Sequence, residues 1–416
     1  MKFPQCAVDT RCIIEPIREY CRRSNAKHAI FYEAECLHID EKNNKIKCKR
    51  TPQGVYSEKG PWNEFELDYD YLVVATGTQS ATFGIPGVKE NALFMKVATD
   101  GRKLRGRIID SLESANIPGA TDLQSLLHFV VVGGGPTGVE CAAELHDFVA
   151  NEVKEFFPDL ADKVSITLIE ALPHVLSMFS KSLVEYAEQK FHRDSIDVLT
   201  RTLVTKVDET HVYVKNLESG ETSKMPYGTL LWASGIATRP VIAELIKNLG
   251  EEAGQKSPRA LSVDGHMKVL GTRNIFALGD CAFMNLPPTA QVAAQQVACC
   301  GFTGKYLGRL IRKGRNAMIG DTKNGTHEFD SYVENAEEFN YNHMGAFAYL
   351  GDNAAIADFS TKADAAGGIL GTSAGTTTYF LWRSVYFSKL LSFRNRVLLG
   401  VNWVFTEIFG RDTSRR

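Results

Sequence analysis

The chain has 416 residues, of which 44 % are apolar and 23 % charged. This is the balance of an ordinary globular protein with room for two or three domains, and it excludes a disordered chain, a collagen-like repeat and a disulfide-stapled miniprotein. A net charge of −2 removes any overall electrostatic case for nucleic acid.

In chain order, the first 23 residues mix Lys2, Arg11, Arg18, Arg22 and Arg23 with Asp9, Glu15 and Glu19, and acids at that density do not suit a transit peptide. The nine cysteines are an odd number and form no Cys-x-x-Cys. They signal neither a zinc ribbon nor a disulfide framework, so reduced structural thiols, no two-cysteine redox chemistry and no metal are expected. Tyr71-Leu-Val-Val-Ala-Thr-Gly77 is a Val-rich run ending in Gly, as a buried parallel strand should be. Residues 97–126 read as a charged connector with a helix around Leu104 to Leu112.

His128-Phe-Val-Val-Val-Gly-Gly-Gly-Pro-Thr-Gly-Val-Glu140 runs from a strand into glycines. Beyond it Ala142, Leu145, Val149, Val153 and Phe156 recur at helical spacing until Pro158, and Ser165 to Glu170 form a second strand. The unit is strand–helix–strand with parallel strands. Gly133-x-Gly135-x-x-Gly138 has the dinucleotide spacing: the first Gly makes the turn, the second admits a pyrophosphate, the third lets helix and strand pack. Glu170 ends the second strand and can accept bonds from both ribose hydroxyls. With no Arg among the residues that follow, NADH is expected over NADPH. Glu170 lies 32 residues after Gly138, against a usual offset of about 20, because the helix is long and a loop follows it.

Leu230 to Gly235 and Asn274 to Asp280 are further strands whose last residues fall at a sheet's carboxyl edge, where open α/β folds bind ligands. Pro287-Pro288 precede a helix starting near Thr289, on which Gln291 and Gln295 share a face. Residues 314–327 read as a polar surface loop, and Asp321 to Gly325 has acids at the wrong positions for an EF-hand. From Thr376 to Arg416 seven basic residues stand against two acids, +5, leaving the preceding body at −7. Tyr379 to Phe409 holds nine aromatics, and its longest charge-free run is ten residues, too short to span a bilayer. Aromatics and Leu interleaved with Arg and Lys suit a helix lying in a membrane interface.

Thr272-Arg-Asn-Ile-Phe-Ala-Leu-Gly-Asp280 resembles the second FAD motif of two-dinucleotide-binding flavoproteins, and Tyr71–Gly77 resembles their Ala-Thr-Gly element. Arg11 to Arg18, Phe129 to Glu140, Glu170 to Phe179, Pro288 to Gln296, His343 to Gly351, Arg394 to Arg396 and Phe409 to Arg415 together resemble the mitochondrial type II (alternative, non-proton-pumping) NADH:ubiquinone oxidoreductases. The resemblance implies an α/β flavoprotein with tandem Rossmann-like FAD and NADH domains and a C-terminal amphipathic membrane-association region.

The expected boundaries are 1–96 and 259–345 for the two parts of the FAD domain, 97–126 for the connector, 127–258 for the NADH domain and 346–416 for the C-terminal region. The implied cofactors are FAD, through Thr76, Gly77, Gly279, Asp280 and Ala290, and NADH, through Gly133, Gly135, Gly138, Glu170 and Gly235. Glu140, on the first helical turn, is implied to orient nicotinamide or relay a proton. Gln291, Gln295 and Gln296 are implied to face flavin and quinone. The implied partners are ubiquinone, a membrane surface and a second copy in a homodimer, at the mitochondrial inner membrane on either side and with no nucleic acid. The family opens on another Gly-rich strand–turn–helix that this chain lacks. The alternatives are a truncated fragment that binds NADH but lacks FAD and activity, and a soluble FAD/NADH oxidoreductase with another acceptor.

Overall fold

The computed structural model describes residues 10–23, 29–51, 63–297, 335–360, 371–390 and 392–411. The surface-loop reading of 314–327 lies outside these. The chain forms two compact units: Met1–Ser24 with Ser80–Gly235 and His343–Arg416, and Asn25–Gln79 with Ile236–Asn342.

The first unit is built on a five-stranded parallel sheet in the spatial order Leu93–Phe94, Thr229–Trp232, His128–Val132, Ser165–Ile169, Ile196–Leu199. The central strands are buried beyond their first residues, which is why they are rich in Val, Ile and Leu without alternation. From the central strand the chain moves one way to 165–169 and 196–199 and later returns to the other side at 229–232. The strand order therefore reverses between Val132 and Trp232, and ligands bind at such a switch point. An antiparallel meander of 202–207, 211–216 and 222–226 flanks the sheet.

The expected connector is a core element. Ala98–Ala115 is an 18-residue helix started by Asp100, whose carboxylate accepts the N–H groups of Lys96 and Val97 at 2.8 and 2.9 Å. Leu104, Ile108, Ile109, Leu112 and Ala115 are buried in the main core, and the charges lie on the opposite face.

The C-terminal region belongs to the same unit. Strands 346–351, 354–358 and 372–375 form an antiparallel sheet, and Ala348, Leu350 and Ile356 join the core shared with helix Pro136–Phe148. Helices Thr376–Ser388 and Phe393–Phe409 follow. The N-terminal segment docks there too, with Ser392 donating to Glu15 at 2.8 Å and Cys12 packed against Leu390 and Leu399.

The second unit pairs Leu72–Val74 in parallel with Ile275–Ala277 and carries the antiparallel sheet 34–40, 45–50, 64–68. Helix Pro240–Leu249 buries Val241, Ile242 and Leu245 against Ile39, Val74 and Ile275. The compact units thus divide the chain elsewhere than the expected boundaries: 80–126 and 343–416 share a core with the 127–235 sheet, and 236–258 does not. A helix goes where its apolar stripe is covered.

Leu112 is fully buried. Leu112→Ala is expected to cost about 2–5 kcal/mol of stability, read by urea unfolding, and a surface-like change under about 0.5 kcal/mol would restore the connector reading.

Candidate functional site

At the sheet's switch point Val132 ends its strand and Gly133 turns with φ +113°. A Cβ there would lie 2.9 Å from Ala233 carbonyl atoms and Ser234 N. The 233–235 segment, tied on by Ala233 N donating to Val132 O at 2.8 Å, leaves no room for a side chain. Gly235 follows with φ +67°. Gly138 is tighter still, since its Cβ would lie 1.8 Å from Gly133 O. Gly135 differs, because a Cβ there would meet nothing within 4 Å. That open side is where another group can approach the backbone, at the N-terminus of helix Pro136–Phe148.

Glu170 closes the same turn. Its two carboxylate oxygens accept the Gly134 N–H at 2.5 Å and the Leu172 N–H at 2.8 Å. Each oxygen keeps a lone-pair direction free, so the carboxylate is fixed in place and still able to accept from a ribose. These residues fit the adenosine-diphosphate half of a dinucleotide.

The second unit repeats the device. Strands 72–74 and 275–277 end together, and both chains turn at glycines of positive φ, Gly77 at +62° and Gly279 at +71°. A Cβ on Gly77 would meet open space. Thr78 Oγ1 donates to Asp280 Oδ2 at 3.0 Å, and Arg239 Nε donates to Thr76 O at 2.7 Å. Thr76 Oγ1 is buried without a hydrogen-bond partner, a cost that a bound polar group would remove. The arrangement fits the phosphate–ribityl part of a flavin dinucleotide.

Helix Ala290–Gln296 starts where expected, with Thr289 as its cap. Its glutamines are placed differently from the expectation of a face presented to flavin and quinone. Gln295 is buried and clamps Asn342, donating to its O at 2.7 Å and accepting its N–H at 2.9 Å. Gln296 is buried and accepts the Gly279 N–H at 2.7 Å. Gln291 accepts from the Tyr341 hydroxyl. Both buried amides hold main chain, because a buried amide without partners costs more than one that positions a turn. Ala290 is exposed at the helix start.

Glu140 sits in the second turn of its helix rather than the first. It is buried, and its Oε1 accepts the Tyr349 N–H at 3.2 Å. It heads a row of carboxyls that sequence reading missed. Glu140, Glu144, Asp147 and Glu152 are each buried, at spacings of four, three and five. The first two spacings keep to one face of an α-helix, and the third would leave it. Residues Val149–Val153, however, form a π turn, whose extra residue brings Glu152 back into phase. The spacing 140, 144, 147 was visible in the sequence, but the π turn was not.

Asp147 is well provided for: it accepts from Tyr349 OH at 2.6 Å and Asp352 N at 2.8 Å, and the His146 ring 3.7 Å away, with these hydrogen bonds, holds its carboxyl below the usual range against the effect of burial. Glu144 and Glu152 share Arg411. Its Nη2 lies 3.0 Å from Glu144 Oε2, an ion pair without hydrogen-bond alignment, and its backbone N–H donates to Glu152 Oε1 at 3.2 Å. Burial pushes the Glu144 carboxyl up to about 7 against the pull of Arg411, and pushes Glu152 up as well. These groups line a cavity of about 460 Å³ with Tyr349, Trp382 and Trp403.

Residues 4–297 match the family model described as pyridine nucleotide-disulphide oxidoreductase, and 343–412 match the NDH2 C-terminal domain. The chain is 38 % identical to the external alternative NADH-ubiquinone oxidoreductase, mitochondrial, of Yarrowia lipolytica, over 99 % of this chain and 74 % of that protein. It is 36 % identical to the external alternative NAD(P)H-ubiquinone oxidoreductase B3, mitochondrial, of Arabidopsis thaliana, over 98 % and 82 %. The structure of NDH2 from Plasmodium falciparum in complex with NADH superposes with a TM-score of 0.77 at 24 % identity, over 99 % of this chain and 90 % of that one.

A carboxyl raised in the folded state stabilises the fold while it is protonated and loses that contribution as pH rises from its unfolded value through its folded one. For Glu144 the window runs from 4.5 to about 7. Glu144→Gln is therefore expected to gain on the unsubstituted protein by up to roughly 3 kcal/mol between pH 5 and 7.5, measured by denaturant unfolding at each pH. Parallel pH profiles would refute the assignment.

Proposed function

We propose residue roles for a chain that belongs to the pyridine nucleotide-disulphide oxidoreductase family and, within it, to the mitochondrial alternative NADH-ubiquinone oxidoreductases. It is an FAD-dependent enzyme that oxidises NADH and reduces ubiquinone without pumping protons: NADH + H⁺ + quinone → NAD⁺ + quinol. FAD, when bound, supplies the hydride-accepting and electron-passing chemistry, and the protein supplies position and electrostatics.

The observation that carries the reading is the glycine turn at the switch point with Glu170 anchored on Gly134. In this reading the backbone around Gly135 and the helix N-terminus hold the NADH pyrophosphate, and Glu170 accepts from the adenosine ribose and repels a 2′-phosphate. Gly235, where a Cβ would lie 2.3 Å from the Phe83 ring, lets that ring pack on the facing wall. Thr76, Gly77, Gly279 and Asp280 hold FAD, with Gln296 fixing the Gly279 backbone and Ala290 contributing the first turn of its helix. Gln291 and Gln295 shape the acceptor side through Tyr341 and Asn342. Glu140, the carboxyl of the row closest to the nucleotide turn, is the proton-relaying candidate.

The assay is NADH-dependent reduction of a short-chain ubiquinone in detergent by protein incubated with FAD and desalted, with the flavin band followed as NADH is added. A retained band that bleaches, with quinone-dependent turnover, is the expected result, and NADH oxidation indifferent to quinone overturns the reading. In the same assay Glu170→Gln should lower kcat/KM for NADH about 10-fold or more, the worth of hydrogen bonds to a charged group, and narrow the gap to NADPH.

The C-terminal helices supply the membrane contact in this reading. Phe380, Phe405 and Ile408 are exposed, as are Phe393 at 80 % and Phe409 at 72 %, far more apolar surface than solvent contact favours. Among the described residues no helix is long and apolar enough to cross a membrane. Such a surface binds in the interface plane, helped by Arg and Lys. Phe405→Ser with Phe409→Ser is expected to lower co-sedimentation with anionic liposomes at least 10-fold while leaving turnover with a water-soluble quinone in place. Unchanged sedimentation would point instead to a covered helix pair, as in a dimer.

A further inference from the structure

Cys36 and Cys48 are twelve residues apart and form no sequence motif, but strand pairing sets them face to face. Strands Ala34–Asp40 and Lys45–Arg50 are antiparallel, with Cys36 directly opposite Cys48. Their pair type follows from the ladder. Thr51 N donates to Glu33 O at 3.3 Å, which makes 33/51 a hydrogen-bonded pair. Pair types alternate along antiparallel strands, so 34/50 is non-hydrogen-bonded, 35/49 is hydrogen-bonded and 36/48 is non-hydrogen-bonded.

In non-hydrogen-bonded pairs the Cα atoms approach to about 4.5 Å, inside the window of about 4.4–6.8 Å that a disulfide spans. The side chains of such a pair lie on one face of the sheet. Both are free thiols in this structure, and Cys36 Sγ also contacts His38 O at 3.6 Å. Cys48 is buried and Cys36 only partly so, so an oxidant reaches Cys36 first.

We propose that Cys36 and Cys48 are a modification site, a cross-strand dithiol that a peroxide converts to a disulfide without rearrangement of the hairpin. The steps balance. The Cys36 thiolate attacks one oxygen of hydrogen peroxide, the O–O bond breaks, a sulfenic acid forms and hydroxide leaves, taking up the proton that the thiol released to become water. The Cys48 thiolate then attacks that sulfur, the S–O bond breaks and a second hydroxide leaves, becoming water with the Cys48 proton. Two thiols lose two electrons and two protons, and peroxide becomes two waters.

The bridge would lie immediately before a register shift between Cys36 and His38. A bulge bends and twists its strand, and the covalent tie would hold the hairpin together just before that bend, in a strand that packs on helix Pro240–Leu249 through Ile39 and through His38 beside Glu244 at 3.1 Å. Burial pushes the Cys36 thiol up to about 11 and the Cys48 thiol up as well. Since the thiolate is the nucleophile, the pair oxidises slowly at neutral pH and faster in alkali.

The test treats the folded, full chain with hydrogen peroxide at pH 7 and pH 9. Remaining thiols are then alkylated, and the peptides that carry Cys36 and Cys48 are mapped by mass with and without reductant. The expected result is a reducible link between these two residues, formed at least several-fold faster at pH 9. The link should be absent from Cys36→Ser, which should accumulate no sulfenic acid in this hairpin, and retained in Cys281→Ser. Sulfenic or sulfinic acid on Cys36 with no link to Cys48, a link to a different cysteine, or alkylation of both residues after peroxide would each overturn the proposal. Because the mapping is made on the unsubstituted protein, a variant that fails to fold does not affect it. The outcome is independent of NADH turnover.

Discussion

The packing of Gly138 on the Gly133 carbonyl is the contact on which the nucleotide half depends. A methyl group there would sit 1.8 Å from the oxygen, so no other residue lets the helix start this close to the strand. Closeness matters because the helix N-terminus must lie directly beyond the strand end for its free N–H groups to converge on one spot. The same requirement explains the buried Val run of the central strand, Pro136 in the first helical turn, and the return of the chain through 229–235 on the other side. Glu170 adds the last fixed point by bonding the Gly134 backbone. An acidic side chain is spent partly on holding the turn, and its remaining lone pairs are aimed by that restraint.

The carboxyl row on the same helix follows a different logic. Burying three acids around one guanidinium is unfavourable unless some of the charge is neutralised by protons. The structure divides the burden. Asp147 keeps its charge through Tyr349 and the Asp352 backbone, and Glu144 and Glu152 share Arg411 with a raised tendency to hold a proton. The π turn is what lets Glu152 take part. Such turns replace good helical hydrogen bonds with poorer ones, and here the deviation brings a fourth carboxyl onto the face that meets the C-terminal region.

The parts of this design that were legible in the sequence are those with short-range signatures. The strand–glycine–helix unit, its partner strand ending at Glu170, the paired ends at Gly77 and Asp280, and a helix starting at Thr289 all depend on residues a few positions apart. The helix around Leu104 to Leu112 in the 97–126 segment was legible too, but its place in the core was not, because its charges dominate its composition while five apolar positions on one face decide where it packs. The resemblance implies an acceptor-facing role for Gln295 and Gln296, and the residues around them in sequence give no sign that both amides are buried. Their burial depends on Asn342 and Gly279, 47 and 17 residues away. The facing of Cys36 and Cys48 likewise comes from a hairpin register that no local spacing reports. The division into units follows from which apolar stripe covers which, and that is a property of the whole chain.

Arg411 illustrates why the far end of the chain belongs with the nucleotide sheet. A buried ion pair is a poor source of net stability, because desolvating both partners offsets most of their attraction. It is a good source of specificity, because an acid row without its guanidinium is strongly disfavoured. Glu144 and Glu152 accept one geometry of the last helix, with Gly410 turning at φ +74° to direct Arg411 inward. The helix that ends there exposes Phe405, Ile408 and Phe409. The orientation of that apolar face is thereby set by the helix that begins at the dinucleotide turn. Within this unit, the helix that begins at the Gly133–Gly138 turn and the element proposed to meet the membrane are joined by the Arg411 ion pairs as well as by apolar packing.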